Sequence, residues 1–385
     1  MCSVFGSLIS LLLQFVLLSK LFYLVFLLTF KVDMKALVLS GGKGTRLRPL
    51  TFTCAKQLIP VANKPILGYV LDQVAATSIT EVGIITAPET GHFVEAYVAD
   101  GSSWNLDVQY IPQQPLGLAH AVKTAKEFLG SDPFVMCLGD NITGQGLAGF
   151  IEKFIAEGLD ALIILKEVET PSSFGIAQLD KVGNIVQLVE KPKIPMGNLA
   201  IIGTYLFSSR IHEAIERIVP SWRGELEITD AIQEMIHMGF TVKAELLDSW
   251  WLDTGKKDDI LSANAIILDE CVSYDVKGKV VDSTLVGRVR VEADTEIINS
   301  VVRGPCVIGK NVLVEGSFIG PYTSIGDNSK ICNSNLEYCV VHDGVTIQDV
   351  ERLEDSLIGK NAKVTRNPRN RTLKLHVGDY SELEV

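Results

Sequence analysis

Ala36-Leu37-Val38-Leu39-Ser40-Gly41-Gly42-Lys43-Gly44-Thr45-Arg46 sets an aliphatic run against a turn with three glycines among four residues. A short apolar run ending in glycines is the pattern of a strand covered on both faces. The next hundred residues repeat the alternation. Helical patterns over 66–76, 93–99 and 119–128 are interleaved with β-rich runs over 82–86, 108–111 and 134–138. Strand and helix in alternation predict βαβ units, hence an α/β domain with a doubly wound, mostly parallel, Rossmann-like sheet. Further runs at 161–165 and 201–207 and a helix after Glu227 carry this domain over 34–265. Ligands of such sheets lie beyond the carboxyl ends of the strands, which directs attention to the loops 40–45 and 139–141.

Beyond residue 265 the helical pattern ends. Val301, Val307, Leu313, Ile319, Ile325 and Ile331 fall six residues apart, with Gly320 and Gly326 following two of them. That period predicts a short left-handed parallel β-helix over 266–385, one aliphatic side chain per hexad pointing into a shared core, and a C-terminal tail. The register slips after Ile331, resumes at Val341, Ile347 and Leu353, and closes near Ile358 and Val364. Such a prism exposes sheet edges and a flat face. It is expected to pack on the first domain or on a sister subunit, making a homo-oligomer.

The chain has 385 residues, 47% of them hydrophobic and 21% charged, with a net charge of −11. This excludes a disordered chain, and it excludes nucleic acid as a partner, which needs a basic face. Seven cysteines (Cys2, Cys54, Cys137, Cys271, Cys306, Cys332, Cys339) are an odd number without CxxC pairs, so reduced thiols in a cytoplasmic protein are expected. From Val4 to Phe30 the chain is almost wholly apolar, with Lys20 as its one charge, and long enough to cross a bilayer. No basic segment precedes it and no small-residue cleavage site follows it, while Met34 opens a complete domain. Residues 1–33 are therefore either a membrane anchor through 4–30 or an upstream start, and membrane contact is expected only in the first case.

Chemistry concentrates in two places. From Met34 to Leu71 the chain holds Lys35, Lys43, Arg46, Arg48, Lys56 and Lys64 and no acidic residue, a cation site inside an acidic chain. Within it, Gly41, Gly42 and Gly44 let the backbone approach a phosphate closely. The spacing is not that of a Walker A loop, and Leu47 stands where GxGxxG needs its last glycine. By themselves these glycines also suit a plain strand-to-helix turn. The second place is a pair of carboxylates: Asp140 follows an apolar strand and Asp253 follows Trp250-Trp251. A lone strand-end aspartate is ordinarily a helix cap, whereas two hard oxygen ligands plus substrate phosphates suit Mg²⁺.

Taken with Lys56 and the run Pro60–Pro65, the motifs GGKGTRLRPLT (41–51), LGDN (138–141), EKPK (190–193), RGELEITD (223–230) and WWLDTGKKDD (250–259) resemble those of the sugar nucleotidyltransferases. The likeness is greatest to the glucose-1-phosphate thymidylyltransferases, in the long form that carries a β-helix. The resemblance implies that a phosphate oxygen of glucose 1-phosphate attacks the α-phosphorus of dTTP, giving dTDP-glucose and pyrophosphate. A phosphate monoester has a second pKa of about 6 and needs no general base. It further implies catalytic roles for Arg46, Lys56, Asp140 and Asp253, the two aspartates holding Mg²⁺. Leu39, Gly41, Gly42, Gly44 and Thr45 would take the nucleotide. Gln113 or Gln114, with Gly117, would read the base. Asn141, Phe174, Gly175, Glu190, Lys191, Arg223 and Glu225 would hold the sugar phosphate. UTP in place of dTTP stays open, since both bases present the same edge. So does a membrane-tethered scaffold without catalysis. A hexapeptide β-helix also raises acyl transfer at His342, although a histidine at a break in the coil is expected to be a solvated loop residue.

Overall fold

The computed structural model describes residues 33–42 and 44–366; the apolar stretch 4–30, Cys2 and Lys43 lie outside them. Strand β1 (Lys35–Ser40) is central, with a parallel strand on either side, and its Ala36, Leu37 and Val38 are fully buried because both faces of the sheet are covered there. The remaining strands of the first part are β2 (Pro60–Val61), β3 (Lys64–Pro65), β4 (Glu81–Thr86), β5 (Asp107–Pro112), β6 (Phe134–Leu138), β7 (Asn141–Thr143), β8 (Ala161–Glu167), β9 (Gly175–Leu179), β10 (Ile185–Glu190), β11 (Leu199–Phe207), β12 (Val242–Leu246) and β13 (Trp251–Asp253). The order β5-β4-β1-β6 is parallel throughout. Winding runs outward from β1 to β5 and then returns to β6 on the other side, which opens a crevice between the ends of β1 and β6. At its floor the Gly139 N–H donates to the Leu39 carbonyl at 2.9 Å.

Past β6 the sheet turns antiparallel through β11, which pairs with β6, β8 and β9. Antiparallel strands tolerate one solvated face. The outermost strand, β10, buries Ile185 and Leu188 while exposing Val186 and Gln187. A separate two-stranded ladder joins β7 to β13 and pairs Asn141 with Asp253. The helix Lys257–Cys271 runs through residue 265, and the first coil strand begins at Asp275.

From there seventeen short strands build three parallel sheets of six, six and five strands. Residues stacked on successive coils are 17 apart, as in Val289 over Cys306, Leu313 over Lys330 and Val302 over Ile319. A 17-residue coil takes inward steps of six, six and five, which corrects the expected frame. The inward set is Val291, Ile297, Val302, Ile308, Val314, Ile319, Ile325, Ile331, Leu336, Val341 and Ile347, each 1% exposed or less. Val301 points outward and is 39% exposed, and Leu313 is only half-buried. Val307 also faces outward, yet it is buried, because its sheet packs on the first part of the chain. Val307 and Val340 share one apolar core with Ile260, Ala263 and Ile267 of the helix Lys257–Cys271 and with Ile59 and Val61. The slip after Ile331 is a single 16-residue coil, Lys330 stacking over Thr346.

Coil corners demand left-handed backbone, and asparagine and aspartate supply it where glycine does not. Asn299, Gly316 and Asn333 occupy one corner on successive coils with φ of 51°, 56° and 46°. Inside, Ser300, Ser317 and Ser334 form a ladder in which each hydroxyl accepts the next serine's N–H at 3.0 to 3.1 Å.

The expectation of a solvated His342 is overturned. The residue is 9% exposed, its backbone is tied to Ile358 and Ser329, and its Nε2 has no hydrogen-bond partner. Burial, helped by Lys360, pushes its pKa down to about 4. Between the ordinary 6.5 and about 4 the unfolded chain takes up a proton that the folded chain does not. Its contribution to stability is therefore complete above pH 6.5 and is lost as pH falls towards 4. At 1.36 kcal/mol per pKa unit the loss reaches about 3 kcal/mol. Urea midpoints at pH 7.5 and pH 4.5 are expected to differ less in His342→Leu than in the wild type; equal differences would remove His342 as the cause.

Candidate active site

Both loops that the sequence singled out end at the crevice. Strand β1 delivers Leu39, Gly41 and Gly42 to a cavity of about 260 Å³, and β6 delivers Asp140 to its opposite rim. Gln113 and Gly117 enter from the loop after β5, and Glu225 closes the far side. Ile85, Leu118, Ala121 and Leu138 give the cavity an apolar lining suited to a flat ring. Gly44 and Thr45 are not among the lining residues. Gly44 has φ of 59°, and a methyl there would stand 2.9 Å from Thr51 and 3.0 Å from Lys56, so its role is to let the chain turn tightly against Lys56.

Lys56 is buried, and its ammonium meets Asp140 Oδ2 at 2.5 Å. Asn141 donates to the other oxygen of Asp140 at 2.9 Å, and the Thr254 hydroxyl bonds the Asp140 carbonyl at 2.7 Å. The β7–β13 pairing brings Asp253 alongside. Burial, and next the neighbouring Asp140, push the Asp253 carboxyl above its usual range against the pull of Lys56 and Arg46. Arg46 and Asp253 converge on Gly255, where an added methyl would lie 3.3 Å from the guanidinium and 3.4 Å from the carboxylate.

The two glutamines part company. Gln113 is 7% exposed and lines the cavity, whereas Gln114 is exposed and does not. Gly117 has φ of 110°, and a Cβ there would run into the Leu226 backbone at 2.3 Å. That contact is a short ladder, with Leu226 N–H to Leu116 O at 2.8 Å and Ala119 N–H to Leu226 O at 3.1 Å. It pins the Gln113 loop to the segment carrying Arg223, Glu225 and Glu227.

Of the residues expected to hold the sugar phosphate, Glu225 lines the cavity, whereas Asn141, Phe174, Gly175, Glu190, Lys191 and Arg223 are not among its lining residues and are joined by contacts. Trp251 Nε1 donates to Asn141 at 2.6 Å, and its ring meets Phe174 edge-on at 5.1 Å. Gly175 leaves room for Glu190, whose carboxylate an added methyl would approach to 2.9 Å. Lys191, with φ of 42°, sets its ammonium 3.7 Å from Glu190. Arg223 gathers Glu190, Glu225 and Glu227 at 3.5, 3.1 and 3.3 Å. Burial pushes the Glu190 and Glu227 carboxyls above their ordinary range. Glu227, 4% exposed, went unread in the sequence, where it stands as the second acid of Glu225-Leu226-Glu227. Gln57 and Trp251 were missed as well. Gln57 lines the cavity at 2% exposure with its Oε1 unpartnered, and the signal was a polar residue between Lys56 and Leu58-Ile59.

Arg46 and Lys56 gathered with two carboxylates at one cleft, beside a network of glutamates around Arg223, have the build of a group-transfer enzyme for two small polar substrates. The chain belongs to the nucleotidyl transferase family, whose model matches residues 35–270. It is 45% identical to a glucose-1-phosphate thymidylyltransferase of Streptomyces griseus, over 91% of this chain and 99% of that protein. A low-salt glycan biosynthesis nucleotidyltransferase of Haloferax volcanii is 44% identical over 91% of this chain and its own full length. Among solved structures, a putative glucose-1-phosphate thymidylyltransferase from Bacillus anthracis, in complex with a sucrose, aligns with a TM-score of 0.57 at 32% identity. That alignment covers 60% of this chain and 94% of that one. Among the described residues, six cysteines are free and no helix is long and apolar enough to cross a membrane.

The segment carrying Arg46 and Lys56 is fastened to the β-helix. Asn264, 1% exposed, accepts the Ala62 N–H at 2.8 Å and donates to the Tyr322 carbonyl at 2.9 Å. Asn63, at φ of 63°, donates to the Ile325 carbonyl at 2.6 Å. Asn264→Ala strips two backbone groups of their partner and is expected to cost about 1–3 kcal/mol. Asn63→Gly keeps the turn and is expected to cost about 1 kcal/mol or less. Denaturant midpoints check the order; equal losses would show that Asn264 is not the stronger strap.

Proposed function

We propose that the protein joins glucose 1-phosphate to the deoxythymidylyl group of dTTP and releases pyrophosphate. The observation that carries this reading is the convergence of Arg46, Lys56, Asp140 and Asp253 at the strand ends, with the sugar-side network one strand away through Asn141 and Trp251. The names of the most similar relatives point to the same substrates.

Phosphoryl transfer asks a protein for position and charge rather than bond chemistry. Arg46 and Lys56 neutralise the triphosphate and the departing pyrophosphate. Lys191 holds the phosphate of glucose 1-phosphate for in-line attack on the α-phosphorus, while Glu190 and Glu225 accept hydrogen bonds from sugar hydroxyls, oriented by Arg223, which Glu227 holds in turn. Leu39, Gly41 and Gly42 floor the nucleotide pocket, and Gln113 faces the base. Two neighbouring carboxylates, one of them pushed above its usual range by burial and next by the other, suit Mg²⁺, which takes one or two protein carboxylates and completes its shell with phosphates and water. Bound at Asp140 and Asp253, the ion supplies charge neutralisation at the phosphates.

The test is pyrophosphate release from glucose 1-phosphate and Mg²⁺, with dTTP and UTP in parallel. Turnover with dTTP is expected to exceed that with UTP, and Asp140→Asn is expected to lower kcat by about 10²–10³-fold. Folded wild-type protein without turnover on either nucleotide would sink the proposal.

A further inference from the structure

The base-facing amide is held by a histidine that is not itself among the residues lining the cavity. Gln113 Nε2 lies 3.2 Å from the Gly117 carbonyl and 2.9 Å from Nδ1 of His120, on the first turn of the helix Leu118–Thr124. An amide nitrogen has two hydrogens to give, and these two partners use both. The remaining polar atom, Oε1, is turned towards Gly41 on the cavity wall, 3.8 Å from where a methyl on that glycine would stand. Rotating the amide by half a turn would bring its oxygen against the Gly117 carbonyl and against the Nδ1 lone pair, so both contacts resist it. The Thr124 hydroxyl, also 3.3 Å from Nδ1, donates to the His120 carbonyl at 2.8 Å and leaves Nδ1 to Gln113.

We infer that His120 is a specificity-determining positioning residue: its Nδ1 locks the Gln113 amide with the oxygen towards the ligand, so the cleft accepts a base edge that offers an N–H. This rests on the proposed role of Gln113 at the base. Thymine and uracil carry an N–H at ring position 3, where cytosine carries a lone pair. The locked oxygen attracts the first two and repels the third, a discrimination made by an unfavourable contact as much as by a favourable one. Nδ1 works as an acceptor only on the neutral ring, and burial and Lys123 both keep the His120 pKa below its usual range.

The test compares kcat and KM for dTTP and CTP, with glucose 1-phosphate, in the wild type, His120→Ala, His120→Gln and Gln113→Ala. His120→Ala is expected to narrow the dTTP-to-CTP ratio of kcat/KM by about tenfold, the worth of one well-placed hydrogen bond. The change is expected in the nucleotide KM, with kcat and the KM for glucose 1-phosphate unmoved. His120→Gln restores an acceptor and is expected to recover most of the ratio. An unchanged ratio in His120→Ala, with the ratio lost in Gln113→Ala, would overturn the role of His120 and leave Gln113 as the reader. A ratio unchanged in both variants would overturn the base-reading role of Gln113 and this inference with it.

Discussion

Lys56 is 7% exposed, and its ammonium rests on an Asp140 carboxylate oxygen. A cation so far from water is tolerable only with a partner, and removing either member would leave a buried charge alone. The pair ties the irregular run after the glycine loop to the end of β6. β6 is fixed by β1 and β11, whereas the run has neither a helix nor a long strand to fix it. The loop between β1 and β2 is built of three-residue turns at Thr45–Leu47, Leu50–Phe52 and Lys56–Leu58. Its position depends on what it touches at either face. On the cleft side that is Asp140, and on the far side it is the apolar core shared with the β-helix, where Leu47 and Ile59 meet Val307 and Val340.

The second part of the chain thus has a structural purpose within the first. One of its three sheets presents Val307, Ser324 and Val340 on the outer face, each at or below 1% exposure, and this is the face that the helix Lys257–Cys271 covers. The hairpin β2–β3 is held there by polar contacts from Asn63 and Asn264. Leu50 packs against Gly359, where an added methyl would come within 2.7 Å of it. Loops without regular structure hold a catalytic geometry only when a rigid scaffold sets them. Here the scaffold is a stack of coils whose corners, serine ladder and interior all repeat with nearly constant register.

The expected runs at β1, β4, β5 and β6 and the helices between them agree with the structure to within about two residues at each end, since continuous aliphatic stretches bounded by glycine leave little choice. The resemblance of five ordered motifs reached most of the site, because those motifs sit at the strand ends where chemistry collects. Three things were illegible for physical reasons. The coil frame was one residue off at Val301, Val307 and Leu313, because aliphatic residues also stand on the outer faces, covered at Val307 and open at Val301 and Leu313, and hide the inward period. Gln113 and Gln114 are adjacent, and only the backbone direction after β5 turns one into the cleft. Glu227 contributes through Arg223, and a carboxylate that acts on another side chain carries no spacing of its own.

Charge is divided unevenly between the two walls of the crevice. On one side Arg46 and Lys56 stand with Asp140 and Asp253, while on the other Glu190, Glu225 and Glu227 are set against Arg223 and Lys191. The latter side carries surplus negative charge and raised carboxyl pKa values, which favour hydroxyl donors over a polyanion. In the proposed reading the two phosphate-bearing substrates would be sorted within one crevice, the triphosphate towards Arg46 and Lys56 and the sugar ring towards the glutamates. Lys191, which the proposal assigns to the phosphate of the sugar, stands beside Glu190 at a strained φ of 42°. A residue held in that conformation has its direction fixed by its neighbours rather than by its own preference. Its N–H is bonded to the Phe174 carbonyl at 3.0 Å, so the strain is carried by the same pairing of β9 with β10 that leaves Glu190 its space beside Gly175.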